Sequence, residues 1–191
     1  MSKLILWNVM TLDGYFEGAK SWELDWHRTV LNDEFHNFAL DQLRGAEALL
    51  FGRVTYEGMA TYWQTASGET AEYMNRLPKY VFSRTLRNAD WANTTIVSDD
   101  AVAEAGRIKE RATCDLFVFG SGKLSATFFD AGLFDEVRIA LAPVVIGQGQ
   151  ALFGRGLGRV PMKLLEARTF SNGCMILRYE PSSRHEPLSA Q

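Results

Sequence analysis

The sequence predicts an α/β protein built on a mainly parallel sheet that finishes in an antiparallel hairpin. Three observations carry this. Short apolar runs rich in branched and aromatic residues alternate with helix-period stretches, the rhythm of strands joined by crossover helices. Two of those runs, Ala46 to Phe51 and Leu116 to Phe119, pass directly into a glycine and then into a helical pattern. Near the end the rhythm breaks, because two strand-like runs flank Ser171-Asn172-Gly173, and Asn-Gly is a strong signal for a tight hairpin.

Taken in order, Lys3 to Val9 reads as a buried strand that stops at the turn Thr11-Leu12-Asp13-Gly14. The loop from Asp13 to about Leu31 carries Tyr15, Phe16, Trp22, Trp26 and His27. Rings in such number either pin a loop to the core or form a lid or pocket wall that stacks on a flat ligand. Asn32 caps a helix with Asp33 and Glu34 in its first turn, an apolar face through Phe35, Phe38, Ala39 and Leu43, and a stop at Gly45. Ala46 to Phe51 is the next strand, and Gly52-Arg53-Val54-Thr55 opens the helix after it. A polar connection over 64–70 and a short helix over 71–76 lead to Pro78. Lys79 to Ser83 and Thr94 to Ser98 are strands, followed by a helix to Arg111 capped by Ser98 or Asp99. Leu116 to Phe119 and a helix from Lys123 to Asp130 complete the alternation. Glu136 to Ile146 is a long strand whose Pro143 suits an edge or a bulge. Met162 to Phe170 and Cys174 to Tyr179 form the hairpin. Residues 1–180 are expected to make one domain, with flexible connections at 147–149 and 154–158 and a disordered tail over 181–191.

With 191 residues, 47% hydrophobic, the chain can bury a sizeable core. A net charge of -3 and no block of basic residues give nucleic acid nothing to hold, so no nucleic-acid partner is expected. No apolar run approaches the roughly 20 residues of a spanning helix, and no cleavable leader pattern is present, so no membrane partner and a cytoplasmic location are expected. Cys114 and Cys174 stand far apart with no neighbouring His, which points to small core residues rather than a metal site or disulfide.

The chemistry concentrates in the glycine turns. Gly120 and Gly122 let backbone amides approach a ligand, and the helix that begins at Lys123 adds free N–H groups and partial positive charge, so a phosphate or pyrophosphate is the natural guest. A P-loop is excluded, because Phe117 stands where its first Gly belongs and Leu124 where its Ser or Thr belongs. A Rossmann fingerprint is a poor match, since Ser125 takes the place of its third Gly. Gly52 with Arg53 and Thr55 forms a second strand–glycine–helix junction, and Ser83-Arg84 a third strand end able to meet a phosphate.

The ordered set TLDG, FGRVTYEG, VFSR, FGSGKL and APVVIGQGQALF resembles the dihydrofolate reductase superfamily, especially the reductase domain of the bifunctional riboflavin-biosynthesis protein, over about Lys3 to Glu180. The resemblance implies a three-layer fold, a sheet of eight or nine strands with helices on both faces, and NADPH laid across the strand ends. It places Arg53 and the flanking Ser83 and Arg84 at the adenosine 2′-phosphate. Gly52 and Thr55, with Gly120, Ser121, Gly122, Lys123 and Leu124, fall at the pyrophosphate. It also implies hydride transfer to a flat pyrimidine- or pterin-like heterocycle, as in 5-amino-6-(5-phosphoribosylamino)uracil reductase, and a homodimer. Candidate proton donors are Asp13, from the TLDG motif, and Asp33 or Glu34 at the first helix, with His36 in competition. The sequence departs from the riboflavin branch at Phe119, where that branch commonly carries an acid, and shows no deaminase zinc motif. A binding or sensing protein that keeps the nucleotide site without turnover is the alternative.

Overall fold

The computed structural model describes residues 2–153 and 158–182, so most of the expected connection at 154–158 and the expected tail from 183 onward lie outside the described residues. The elements run β1 (Leu4–Thr11), β2 (Tyr15–Glu17), a 3-10 helix (Asp25–Thr29), α1 (Asp33–Arg44), β3 (Ala46–Gly52), α2 (Arg53–Trp63), α3 (Glu69–Arg76), β4 (Lys79–Phe82) and β5 (Thr94–Val97). They continue with α4 (Ala101–Arg111), β6 (Asp115–Phe119), α5 (Gly122–Asp130), β7 (Glu136–Ala142), β8 (Gln150–Ala151), β9 (Met162–Thr169) and β10 (Met175–Pro181). Two elements lay hidden in the aromatic loop. Both β2 and the 3-10 helix are too short to set up a period, and β2 exists only because it pairs with β8.

Eight strands form one sheet in the order β5-β4-β3-β6-β1-β7-β10-β9. Pairings from β5 across to β7 are parallel, and β10 and β9 join antiparallel. Strand alternation divides the core into two layers. Ile5, Leu49, Val81 and Phe117 meet residues of α1, α2 and α3 on one face. Leu4, Leu6, Leu50 and Val118 meet Ala105 and Ile108 of α4 and Leu124, Phe128 and Phe129 of α5 on the other.

Local chemistry sets most boundaries. Asn32 caps α1 by accepting from the Phe35 N–H. Asp100, rather than Ser98 or Asp99, caps α4, because its carboxylate reaches the N–H groups of Val102 and Ala103. The seventh strand ends at Ala142, short of the expected Ile146. It lies inside the sheet between β1 and β10, so Pro143 marks no edge. Beyond it the chain turns away to the β1–β2 connection, where Leu12 N–H donates to the Val144 carbonyl. Cys174 is in the core as expected, whereas Cys114 is exposed at the turn before β6, drawn there by Glu47, whose carboxylate accepts from the Thr113 and Cys114 N–H groups.

One ionic cluster pins the N-terminal ends of the central strands. Arg138 of β7 and Arg178 of β10 sit directly opposite each other, a repulsive pairing by itself. Glu136 resolves it: fully buried, it accepts from Arg138 Nε and Arg178 Nε at 2.6 Å each and from Lys3 Nζ at 2.8 Å. Burial pushes this carboxyl up, but Arg178, Arg138 and Lys3 outweigh it and hold the group at about 2, down from 4.5. Because the folded value lies below the unfolded one, the stabilisation is complete above pH 4.5 and is lost as pH falls towards 2. Glu136→Gln should lower Tm at neutral pH by roughly 6–12 °C, through roughly 3 kcal/mol lost when Arg138, Arg178 and Lys3 give up the buried carboxylate they share. The gap to the wild-type protein should narrow in thermal melts at pH 3; a gap independent of pH would refute this account.

Candidate functional site at the reversal of winding

The two glycine junctions converge. From β3 the chain leaves through α2 on one face towards β4 and β5, and from β6 it leaves through α5 on the opposite face towards β7. Since β3 and β6 are neighbours, winding reverses between them, and a crevice opens beyond the C-terminal ends of adjacent strands at such a point. The register Leu50↔Val118 brings Gly52 and Gly120 to the same level two residues later.

Both helices that start there have bare N-termini. Gly52 has no side chain with which to cap α2, and Ser121 makes no side-chain cap to α5. Gly120 (φ +53) and Ser121 (φ +60) are both left-handed, and from this turn the Ser121 hydroxyl reaches across to β3. That hydroxyl accepts from Gly52 N–H at 2.8 Å, with its proton within reach of Thr55 Oγ1 at 2.8 Å and the Phe119 carbonyl at 3.0 Å. A Cβ on Gly120 would stand 3.2 Å from Thr55, so a larger residue would crowd the joint. Asn8, midway along β1, accepts from Gly120 N–H at 3.0 Å. Its Nδ2 is buried without an acceptor among the described residues. Sequence reasoning missed Asn8, although an amide inside the apolar run LILWNVM was the available signal.

Cations flank this joint on the β4 side. Gly52 pairs with Phe82, so Arg53 and Ser83 leave neighbouring strands side by side. The Arg53 guanidinium pairs with Glu57 at 2.9 Å, an exposed contact within one helix and hence a weak competitor for a phosphate. Arg84 is exposed with no partner among the described residues. The Ser83 hydroxyl accepts from Leu86 N–H at 2.9 Å and Thr85 N–H at 3.2 Å, shaping the turn that presents Arg84. Lys123 is exposed, whereas the Leu124 side chain is buried in the core, leaving only its backbone near the turn.

On the β1 side the aromatic loop forms a cap. A Cβ on Gly122 would lie 3.5 Å from the Phe16 ring, so Phe16 stands over the start of α5. One on Gly58 would fall 1.8 Å from the Trp22 indole, so that ring rests directly on α2. The carboxylate of Asp13 fastens the cap to the loop after β7, accepting from Gly147 N–H at 2.7 Å and Ile146 N–H at 3.2 Å. Bonds from Thr11, Gly147 and Ile146 keep this carboxyl below its ordinary range. Glu34 is tied to the hairpin instead, accepting from the hydroxyl and N–H of Ser171, and these bonds lower its pKa as well. Asp33 and His36 are exposed on α1, and Asp33 has no partner among the described residues. The structure thus unites Gly52, Thr55, Gly120, Ser121 and Gly122 and sets Arg53, Ser83 and Arg84 beside them, while Asp13 and Glu34 are engaged elsewhere.

The RibD C-terminal domain family matches residues 2–176. A protein of Bacillus subtilis (strain 168), YyaP, is 32% identical over 93% of this chain and 94% of its own. A candidate riboflavin biosynthesis protein of Shewanella sp. PV-4 superposes with TM-score 0.78 at 20% identity, covering 95% of this chain and 99% of that one. The deaminase/5-amino-6-(5-phosphoribosylamino)uracil reductase of Thermotoga maritima superposes with TM-score 0.68 at 16% identity, over 95% of this chain and 57% of that one. A dihydrofolate reductase of Enterococcus faecalis, complexed with NADP(H), gives TM-score 0.64 at 12% identity over 95% and 97%. The three-layer architecture is therefore dihydrofolate reductase-like, and the chain belongs to the RibD C-terminal domain family.

Proposed function

We propose that this protein is an NADPH-dependent reductase of a flat pyrimidine- or pterin-like heterocycle. The observation that carries the reading is the meeting of two uncapped helix N-termini at the reversal of winding, with Arg53 at the end of β3 and Arg84 beyond the end of neighbouring β4. Free N–H groups at the starts of α2 and α5 suit a pyrophosphate, and two guanidinium groups on one side suit a further phosphate. NADPH, when bound, supplies a hydride. The chain's own part is to hold the phosphates through Gly52 to Thr55 and Gly120 to Leu124, to exclude water with the cap, and to deliver a proton. Of the three carboxylates named from sequence, Asp33 is the one left unpartnered among the described residues, and it is assigned that proton.

One observation favours a second reading, a nucleotide-binding protein without turnover: Asp13 and Glu34 both serve as acceptors for loop N–H groups. Turnover decides between the two. Loss of nicotinamide absorbance with pterins or aminopyrimidines is expected, and binding without any such loss would favour the second reading.

Arg53→Ala should weaken NADPH roughly 10–100-fold in calorimetric titration, the worth of a charge-assisted pair, and leave NADH within about twofold. Equal weakening of both nucleotides would remove Arg53 from the 2′-phosphate. Asp33→Asn should reduce kcat by about 100-fold with NADPH affinity unchanged; wild-type turnover in that variant would transfer the proton to another group.

A further inference from the structure

Resting on the nucleotide reading above, we propose that Trp22 is a built-in plug, whose indole occupies the flank of α2 where the distal half of a dinucleotide must lie. It has to leave Gly58 before that half can seat. The direction of the nucleotide follows from the sheet. Guanidinium groups stand on the β3–β4 side of the glycine joint, and the sheet continues on the other side into β1. A dinucleotide with its adenosine phosphate at Arg53 and Arg84 therefore runs past the joint towards β1, from whose end the cap emerges.

On that side the flank of α2 is already taken. Trp22 Cε2 and Cζ2 lie 1.8 and 1.9 Å from where a Gly58 Cβ would stand, so the ring fills the space that any side chain there would claim. Gly58 follows Thr55 by three residues and shares its side of the helix, which places the indole within a turn of the Thr55–Ser121 joint. The ring is held there against a local cost. Trp22 has φ +66, a left-handed backbone that bulky residues rarely adopt, and its N–H donates to the Glu17 carboxylate. Two cavities, of about 300 and 290 Å³, lie instead at the N-terminal ends of the strands, against Glu47 and Arg111 and against Lys3 and Glu180.

A plug of this kind lowers apparent affinity by the fraction of molecules in which it is open. It acts only on ligands that reach past the joint. Adenosine 2′,5′-bisphosphate stops short of Trp22, whereas NADPH does not, so the two probes separate the plug from the phosphate site. Trp22→Gly removes the ring and suits the left-handed backbone. Gly58→Ala leaves the ring intact but puts a methyl in its seat, inside a helix where Ala is favoured over Gly.

In titrations of the full chain, both variants should bind NADPH at least tenfold more tightly than the wild-type protein, with adenosine 2′,5′-bisphosphate unchanged within about twofold. The ligand-free Gly58→Ala protein should also show greater acrylamide quenching of its tryptophan fluorescence. Weaker NADPH binding by Trp22→Gly would make the ring a stacking wall and overturn the plug, as would NADPH affinity unchanged in both variants. Wild-type protein that binds neither nucleotide would instead bring down the nucleotide site itself, and the plug with it. Should Gly58→Ala not fold, Trp22→Gly alone decides between these outcomes.

Discussion

The winding of the sheet reverses between β3 and β6. A right-twisted sheet lets a chain continue in one direction only while its crossovers stay on one face, so a change of direction forces a change of face. Here α2 and α5 depart to opposite sides, and the two strand ends separate. The Ser121 hydroxyl closes the gap between them at 2.8 Å to Gly52. It does so from a left-handed backbone, and in this conformation it does not cap its own helix. The joint that holds the two halves together thereby leaves the N–H groups of α5 free for a ligand.

Charge is distributed to match. The chain carries a net charge of -3, yet the groups nearest the joint on the β4 side are guanidinium groups, one lightly held by Glu57 and one unpartnered among the described residues. At the opposite ends of the strands, arginines are spent structurally: Arg138 and Arg178 converge on a buried Glu136. Burial separates the two uses. Breaking a buried pair would strand a charge, whereas an exposed Arg53–Glu57 pair can exchange partners at little cost.

Carboxylates act mainly as clamps for loops. Asp13 gathers the N–H groups of Ile146 and Gly147, Glu34 gathers Ser171, and Glu47 gathers Thr113 and Cys114. Each bond favours the ionised form, so each of these groups is a better acceptor than acid. Through Asp13 the cap is tied to the loop after neighbouring β7, and the β2–β8 pair sets Phe16 over α5.

The alternation of strands and helices, both glycine junctions, the Asn172-Gly173 hairpin and the Asn32 cap were determined by the sequence alone. Each depends on residues within a turn or a few strand positions of one another, where periodicity, glycine freedom and side-chain capping act directly. Arg53, Ser83 and Arg84 could be named as site residues for the same reason, since each immediately follows a legible strand. The tertiary structure decided what depends on distant partners. It ended β7 at Ala142, made β2 out of a loop by giving it β8, put Asn8 against Gly120, and moved Cys114 to the surface beside Glu47. It also seated Trp22 on Gly58, a contact between residues 36 positions apart that no local pattern encodes, because the space left by a missing side chain is visible only once the opposing ring has been brought to it.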